Sequence, residues 1–257
     1  MGDAPEPGWR VGESVPWSVA WSGEQDFQLR KSVLFRGLVA DDLANVAAEA
    51  VARQLPRGAT LFQQGNDPAE MYLLVDGWVK MTHVTQSGDQ IALRFMQRGD
   101  HVGCQAVFRG VPFPATATAA ADATMLAWKA PFIRDVIRRS PRVAQNALEL
   151  VGDRADDFLS RIQELASDSV EVRLARQLIR LVRGSDRRTE RGVSVEFPIS
   201  RQDLAELCGT TLFTVSRILT RWRDLGLVDP GRQSILVRDV AGLGALINER
   251  PLPATAH

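Results

Sequence analysis

The stretch from Ile199 to Arg223, ISRQDLAELCGTTLFTVSRILTRWR, constrains this chain more than any other. Ser200 is a good N-cap, and Asp203, three residues on, places a carboxylate in the first turn. Leu204, Ala205 and Leu207 supply an apolar stripe, which Gly209 ends. Thr210 or Thr211 can cap a second helix, in which Val215, Ile218, Leu219 and Trp222 recur at spacings of three and four and so face inward. The opposite face carries Leu212, Phe213, Thr214, Ser216, Arg217, Arg221 and Arg223. Two short helices around a tight turn, the second with polar side chains outward, form an element suited to reading DNA. After Gly226 come a strand-like LV, the turn DPGRQ with Pro230 and Gly231, and a strand-like SILVR, which together predict a β-hairpin wing.

In order, spacing and wing, ISRQDLAELCGTT followed by TVSRILTRWRDLGLV resembles the winged helix-turn-helix of the Crp/Fnr family of bacterial transcription regulators. The plainer reading, an amphipathic helix pair with a surface arginine row, gives the wing no role.

Upstream, the hydrophobic period changes twice. DDLANVAAEAVAR, Asp41 to Arg53, reads as a short helix with Leu43, Val46 and Val51 inward. Residues 58–103 then read as short alternating strands, TLFQQ, EMYLLVDG, WVKMTHV and IALRFM, punctuated by glycines, which suggests a small antiparallel barrel or roll. This segment, especially LFQQGNDPAEMYLLVDGWVKM and the RGD before His101, resembles the cyclic-nucleotide-binding β-roll that is the sensory half of the same family. Residues 131–166 return to helical period. There Leu148, Ala155 and Ile162 repeat every seven residues, as do Ala144, Val151, Phe158 and Leu165, the pattern of a coiled-coil seam. A helix packed on its own domain is the alternative. The resemblance implies a dimer interface here, and two copies suit two half-sites about 34 Å apart. VEVRLARQLIRLVR, residues 170–183, predicts the first helix of the reader with Val170, Leu174, Leu178 and Leu181 inward, and VAGLGALI a short C-terminal helix before Pro251.

The expected architecture is therefore α+β, in four parts. Residues 1–26, rich in Pro and Gly yet holding Trp9, Trp17 and Trp21, form an arm packed on its own domain or lying over a ligand. Residues 27–140 form the β-roll, 141–166 the dimerisation helix, and 167–257 the winged helix-turn-helix with its tail.

Composition adds limits. A chain of 257 residues with 45% apolar content can hold two cored domains, or one large one. The formal net charge is zero, but residues 168–257 hold 14 Arg and no Lys against 11 acidic residues, a mild +3 that suits DNA. Cys104 and Cys208 form no CxxC pair, which argues against a disulfide framework or structural zinc. No signal pattern opens the chain, and the apolar stretch Val111 to Trp128 carries Pro112, Pro114 and Asp122, unlike a membrane span. A reducing cytoplasm is the expected compartment.

Arginine's planar fork matches guanine O6 and N7, so Arg217 is the first candidate for base readout. Its position and that of Ser216 match the family's reading residues. The family's glutamate four places before that arginine is Phe213 here, and Leu212 replaces another polar reader. Phe or Leu can pack on a thymine methyl but cannot accept a hydrogen bond from cytosine N4, so the family's usual half-site does not carry over. Ser200, Arg201, Gln202, Thr211 and Thr214 are placed for phosphate contacts, as Arg221 and Arg223 can be.

For the sensor, the resemblance maps the nucleotide pocket onto Gly103, Cys104, Ala115, Thr116, Phe158 and Leu159. Cys104 stands where the family has glutamate, and FPATATA offers no cation for a cyclic phosphate, so cyclic AMP is not expected. Two cysteines cannot hold a four-cysteine iron-sulfur cluster. Haem stays open through His83 or His101 as axial ligand, as does thiol sensing at Cys104; the effector itself is unassigned.

No nucleophile elbow, P-loop, dinucleotide fingerprint or metal-ligand cluster is present in the sequence, which speaks against an enzyme. The reading is a homodimeric, sequence-specific regulator with an effector other than cyclic AMP or none, DNA and RNA polymerase as partners, and no membrane. A haem-based gas sensor, or a ligand-binding protein with a degenerate reader, is the alternative.

Overall fold

Helix gives way to strand earlier than the hydrophobic pattern of residues 41–53 implies. The computed structural model describes residues 23–88, 90–183 and 187–248, so nearly all of the arm at 1–26, including its three tryptophans, lies outside the described residues, as does Pro251. Helix α1 (Gly23–Lys31) starts within the stretch expected to lack regular structure, and α2 spans Ala40–Ala48. Val51–Leu55 is then strand β1, not the end of a helix. Its five residues pair antiparallel with Ala123–Lys129 (β8), from Val51↔Ala127 to Leu55↔Ala123, and this non-local ladder overrides the local helical spacing. Val51 is accordingly exposed, while Val46 is buried as expected.

The strands between are β2 (Thr60–Phe62), β3 (Glu70–Asp76), β4 (Val79–Val84), β5 (Gln90–Met96), β6 (His101–Val102) and, after helix α3 (Cys104–Arg109), β7 (Thr116–Ala119). One sheet runs β1-β8-β3-β6. In another, β2 pairs with β7, β7 has β4 on its far side, and β4 pairs with β5. The apolar run Val111 to Trp128 is thus spent on two strands of a roll. Helix α4 (Ala130–Arg139) follows, and then α5 (Pro141–Ser167), 27 residues long.

Because side chains alternate along a strand, Met71, Leu73 and Val75 of β3 share one face. They form a core with Leu126 and Trp128 of β8, Leu29, Val46, Val107 and Ile133 of α1 to α4, and Val143, Ala147 and Leu150 of α5. Trp128 donates its indole N–H to the Val46 carbonyl at 2.8 Å and meets Phe35 edge-on, satisfying its one polar atom. The described residues up to Lys80, with Phe95–Leu150, make this first compact unit.

The second unit comprises the described residues of Met81–Arg94, the outer part of the β4–β5 hairpin, with the described residues from Val151 onward. Arg94 reaches Asp157 of α5 at 3.2 Å. Helix α6 (Val170–Val182) is capped by Ser169 and buries Leu174, Leu178 and Leu181. A short hairpin, β9 (Arg188–Thr189) and β10 (Gly192–Ser194), precedes α7 (Arg201–Cys208) and α8 (Leu212–Asp224). The wing strands β11 (Val228–Pro230) and β12 (Ile235–Val237) follow, then α9 (Val240–Asn248). The wing joins the earlier hairpin in one sheet, β11-β12-β10-β9. The α+β class is as read from the sequence, with the β9–β10 pair as an addition to it.

Candidate DNA interface and effector cavity

The helix pair α7–α8 is fixed by its caps. The Ser200 hydroxyl accepts from the Asp203 amide at 3.0 Å, and Asp203 accepts in return from the Ser200 amide at 2.9 Å, a complete capping box. The Ser200 side chain is thereby held at the N-terminus of α7, its hydroxyl also donating to Asp203 at 2.6 Å. Gly209 ends α7 at φ +58°, and a Cβ there would stand 3.0 Å from Leu165 of α5. Thr211, not Thr210, caps α8, accepting from the Thr214 amide at 3.2 Å.

Val215, Ile218, Leu219 and Trp222 are buried on the inner face of α8. On the outer face Leu212, Phe213 and Arg217 are exposed, Phe213 to 79%. Among the described residues Arg217 makes no hydrogen bond or ion pair, so its fork is available. Arg201 donates to the Ser216 hydroxyl at 3.4 Å, joining α7 to the reading face. Gln202 is exposed and donates to Glu206 at 3.2 Å, and the Thr211 and Thr214 hydroxyls lie 3.0 Å apart. Arg221 differs from its neighbours: it is ion-paired with Glu171 of α6, which also accepts from the Trp222 indole at 2.8 Å. Burial works to raise the Glu171 carboxyl, but these bonds outweigh it and hold it below its ordinary value. Arg221 therefore ties α8 to α6 as well as facing solvent.

Behind the pair lies a set of arginines that sequence reasoning missed. Arg161 of α5 donates to the Leu207 carbonyl, and Arg173 of α6 donates to the Cys208 carbonyl at 2.9 Å and the Asp168 carbonyl at 2.7 Å. Arg180 pairs with buried Glu164 of α5. The signal was the missing C-terminal partner of α7, which ends Leu-Cys-Gly with no basic residue of its own to satisfy its last carbonyls. Cys208 is buried, which pushes its thiol up to about 12 and makes it inert core.

In the first unit, a cavity of about 510 Å³ opens beside β2 and β3, lined by Phe62, Gln63, Asn66, Asp67, Glu70, Tyr72 and Phe113 among others. Phe62 and Phe113 stack at 3.7 Å, and a Cβ on Gly103 would lie 2.9 Å from Phe113, so this aromatic pair fills the space over Gly103. That is why Gly103, Cys104, Ala115 and Thr116 do not line the cavity. Cys104 belongs to the helix-side core, Ala115 is buried, and Thr116 accepts from the Gln64 amide at 3.0 Å. Phe158 and Leu159 are exposed on the part of α5 that belongs to the second unit. Glu70 bonds Arg53 at 3.0 Å and accepts from the Tyr72 hydroxyl at 3.2 Å, and burial foremost, with Glu70 beside it, raises the phenol's pKa. The charged side chains of the lining are both carboxylates, Asp67 and Glu70.

Neither histidine lines this cavity. His101 is fully buried, its Nε2 lies 3.0 Å from the Ser32 hydroxyl, and burial lowers its pKa to about 4. His83, on β4, is not among the lining residues. No group of three metal-ligating side chains occurs among the described residues, and no described helix is long and apolar enough to cross a membrane.

Comparison with known proteins agrees with this geometry. Residues 52–140 match the cyclic nucleotide-binding domain, and residues 172–246 match the Crp-like helix-turn-helix domain. The Cyclic AMP receptor protein of Thermus thermophilus is 28% identical over 213 residues, covering 83% of this chain and 95% of that protein. The Fumarate and nitrate reduction regulatory protein of Salmonella typhi is also 28% identical, over 211 residues, covering 80% and 81%. FixK2 from Bradyrhizobium japonicum shares the fold with a TM-score of 0.68 at 20% identity, covering 77% of this chain and 96% of that one. With a nucleotide-binding-type roll, a long helix and a winged reader in the family's order, the chain belongs to the Crp/Fnr family of DNA-binding transcription regulators.

Proposed function

We propose that this regulator works in the cytoplasm as a homodimer that recognises a two-part operator, answers to an effector other than cyclic AMP or to none, and acts on RNA polymerase. Residues 27–140 serve as sensor, 141–166 as dimer helix and 167–257 as reader, with residues 1–26 as an accessory arm. The reading is carried by one observation: α5 bears an exposed apolar stripe, Leu148, Val151, Phe158, Ile162 and Leu165, with Leu148 at 74% and Ile162 at 62% exposure. A heptad-spaced stripe of this size suits a second copy of the same helix. In the reader, Arg217 takes guanine and Arg201, Gln202, Thr211 and Thr214 meet phosphates, with Ser216 beside them.

For the effector, the cavity favours a neutral or cationic molecule. Asp67 and Glu70 bring carboxylates to the lining, Glu70 already paired with Arg53, and the lining itself supplies no Lys or Arg to a phosphate.

Light scattering with Ile162→Glu tests the dimer. Wild type is expected at twice the chain mass with operator affinity intact, and the variant as a monomer with affinity lowered at least ten-fold. A monomeric wild type that still binds a two-part operator would contradict the reading.

A further inference from the structure

We propose that Phe213 reads the 5-methyl group of a thymine one or two base pairs from the guanine bound by Arg217. Phe213 is the second residue of α8, in the turn that enters the major groove in helix-turn-helix docking. Phe213 is 79% exposed and Leu212 beside it 48%, so neither contributes to the hydrophobic core, which α8 builds from its other face. The phenyl ring has no donor or acceptor, and the apolar group that a base pair presents in the major groove is the thymine methyl. Wedging between base steps is a minor-groove mode, whereas Arg217 and Ser216 on the same helix offer the hydrogen-bonding groups suited to the major groove.

The spacing is set by the helix. Phe213 and Arg217 are four residues apart and therefore neighbours on one face, with Cβ atoms about 6 Å apart. Base pairs rise about 3.4 Å, so the two side chains span one or two steps. The start of α8 is held for this task by the Thr211 cap and the Thr211–Thr214 hydroxyl pair. Discrimination then follows: a cytosine at that position loses the methyl contact and finds no acceptor for its N4 amine on Phe213.

This inference rests on the proposed sequence-specific reading, and the test separates the two. The full chain is used to select an operator from random duplexes, and each thymine in it is then replaced by deoxyuridine, which removes only the methyl. One position per half-site is expected to lose about four-fold in affinity, the worth of one buried methyl. Replacing that thymine's pair with 5-methylcytosine and guanine should recover more affinity than cytosine and guanine. Phe213→Ala should bind the thymine and deoxyuridine operators equally while keeping its guanine preference. Indifference to the methyl at every position, or a Phe213→Ala protein that still prefers thymine over deoxyuridine, would overturn the inference and leave the regulator reading standing. Failure to select any operator would overturn both.

Discussion

Arg173 of α6 donates its Nε–H to the carbonyl oxygen of Cys208, at 2.9 Å, closing the C-terminus of α7 from behind. A helix end buried without partners is costly, and here two arginines, 161 and 173, supply them from different helices. The turn between α7 and α8 is thereby bound to α6 and to the C-terminal half of α5 within one unit.

Arg173→Met keeps the aliphatic stem but removes both hydrogen bonds. The orphaned carbonyls are expected to cost about 1–3 kcal/mol of stability. Urea denaturation followed by Trp fluorescence measures this, and an unchanged midpoint would show that the bond to Cys208 contributes nothing.

His101 makes the first unit acid-sensitive. Its folded pKa, lowered to about 4 by burial, lies below its unfolded value of about 6.5, so the unfolded chain takes up the proton first. Stability from this group is complete above about pH 6.5, falls as pH drops, and levels off below about pH 4, a loss of roughly 3 kcal/mol. His101→Gln, which retains an amide for Ser32, is expected to flatten the urea midpoint between pH 4 and 6.5. Parallel pH profiles for wild type and variant would contradict this.

Cyclic AMP should not bind. Calorimetric titration to about 1 mM is expected to give no saturable heat, because no Lys or Arg lines the cavity and the neighbouring Arg53 is already paired with Glu70. Micromolar binding would mean that a phosphate site exists elsewhere in the roll.

How much of this the sequence disclosed depends on how local each signal was. The helices α7 and α8 were legible because Ser200, Gly209 and Thr211 cap them and their buried residues recur at three and four. The wing was legible through Pro230 and Gly231. Strand β1 was not, since Val51–Leu55 becomes a strand only by pairing with a segment some seventy residues on. Strands β9 and β10 are two and three residues long, and Val193 is placed by Val237. The stack of Phe62 on Phe113 joins residues with no local relation, and it moved the open cavity away from Gly103 and Ala115. Arg221 could not be told from Arg217 by sequence, because its partner Glu171 comes from another helix.

The most direct measurement is the affinity of Arg217→Ala for a selected operator and for scrambled DNA of equal length, by fluorescence anisotropy. A lost bidentate guanine contact is expected to cost about 1–3 kcal/mol per half-site. The preference for operator over scrambled duplex should therefore collapse, while binding to scrambled DNA and the dimer mass stay near wild type. An Arg217→Ala protein that keeps the wild-type preference would contradict the assignment of α8 as the reading helix.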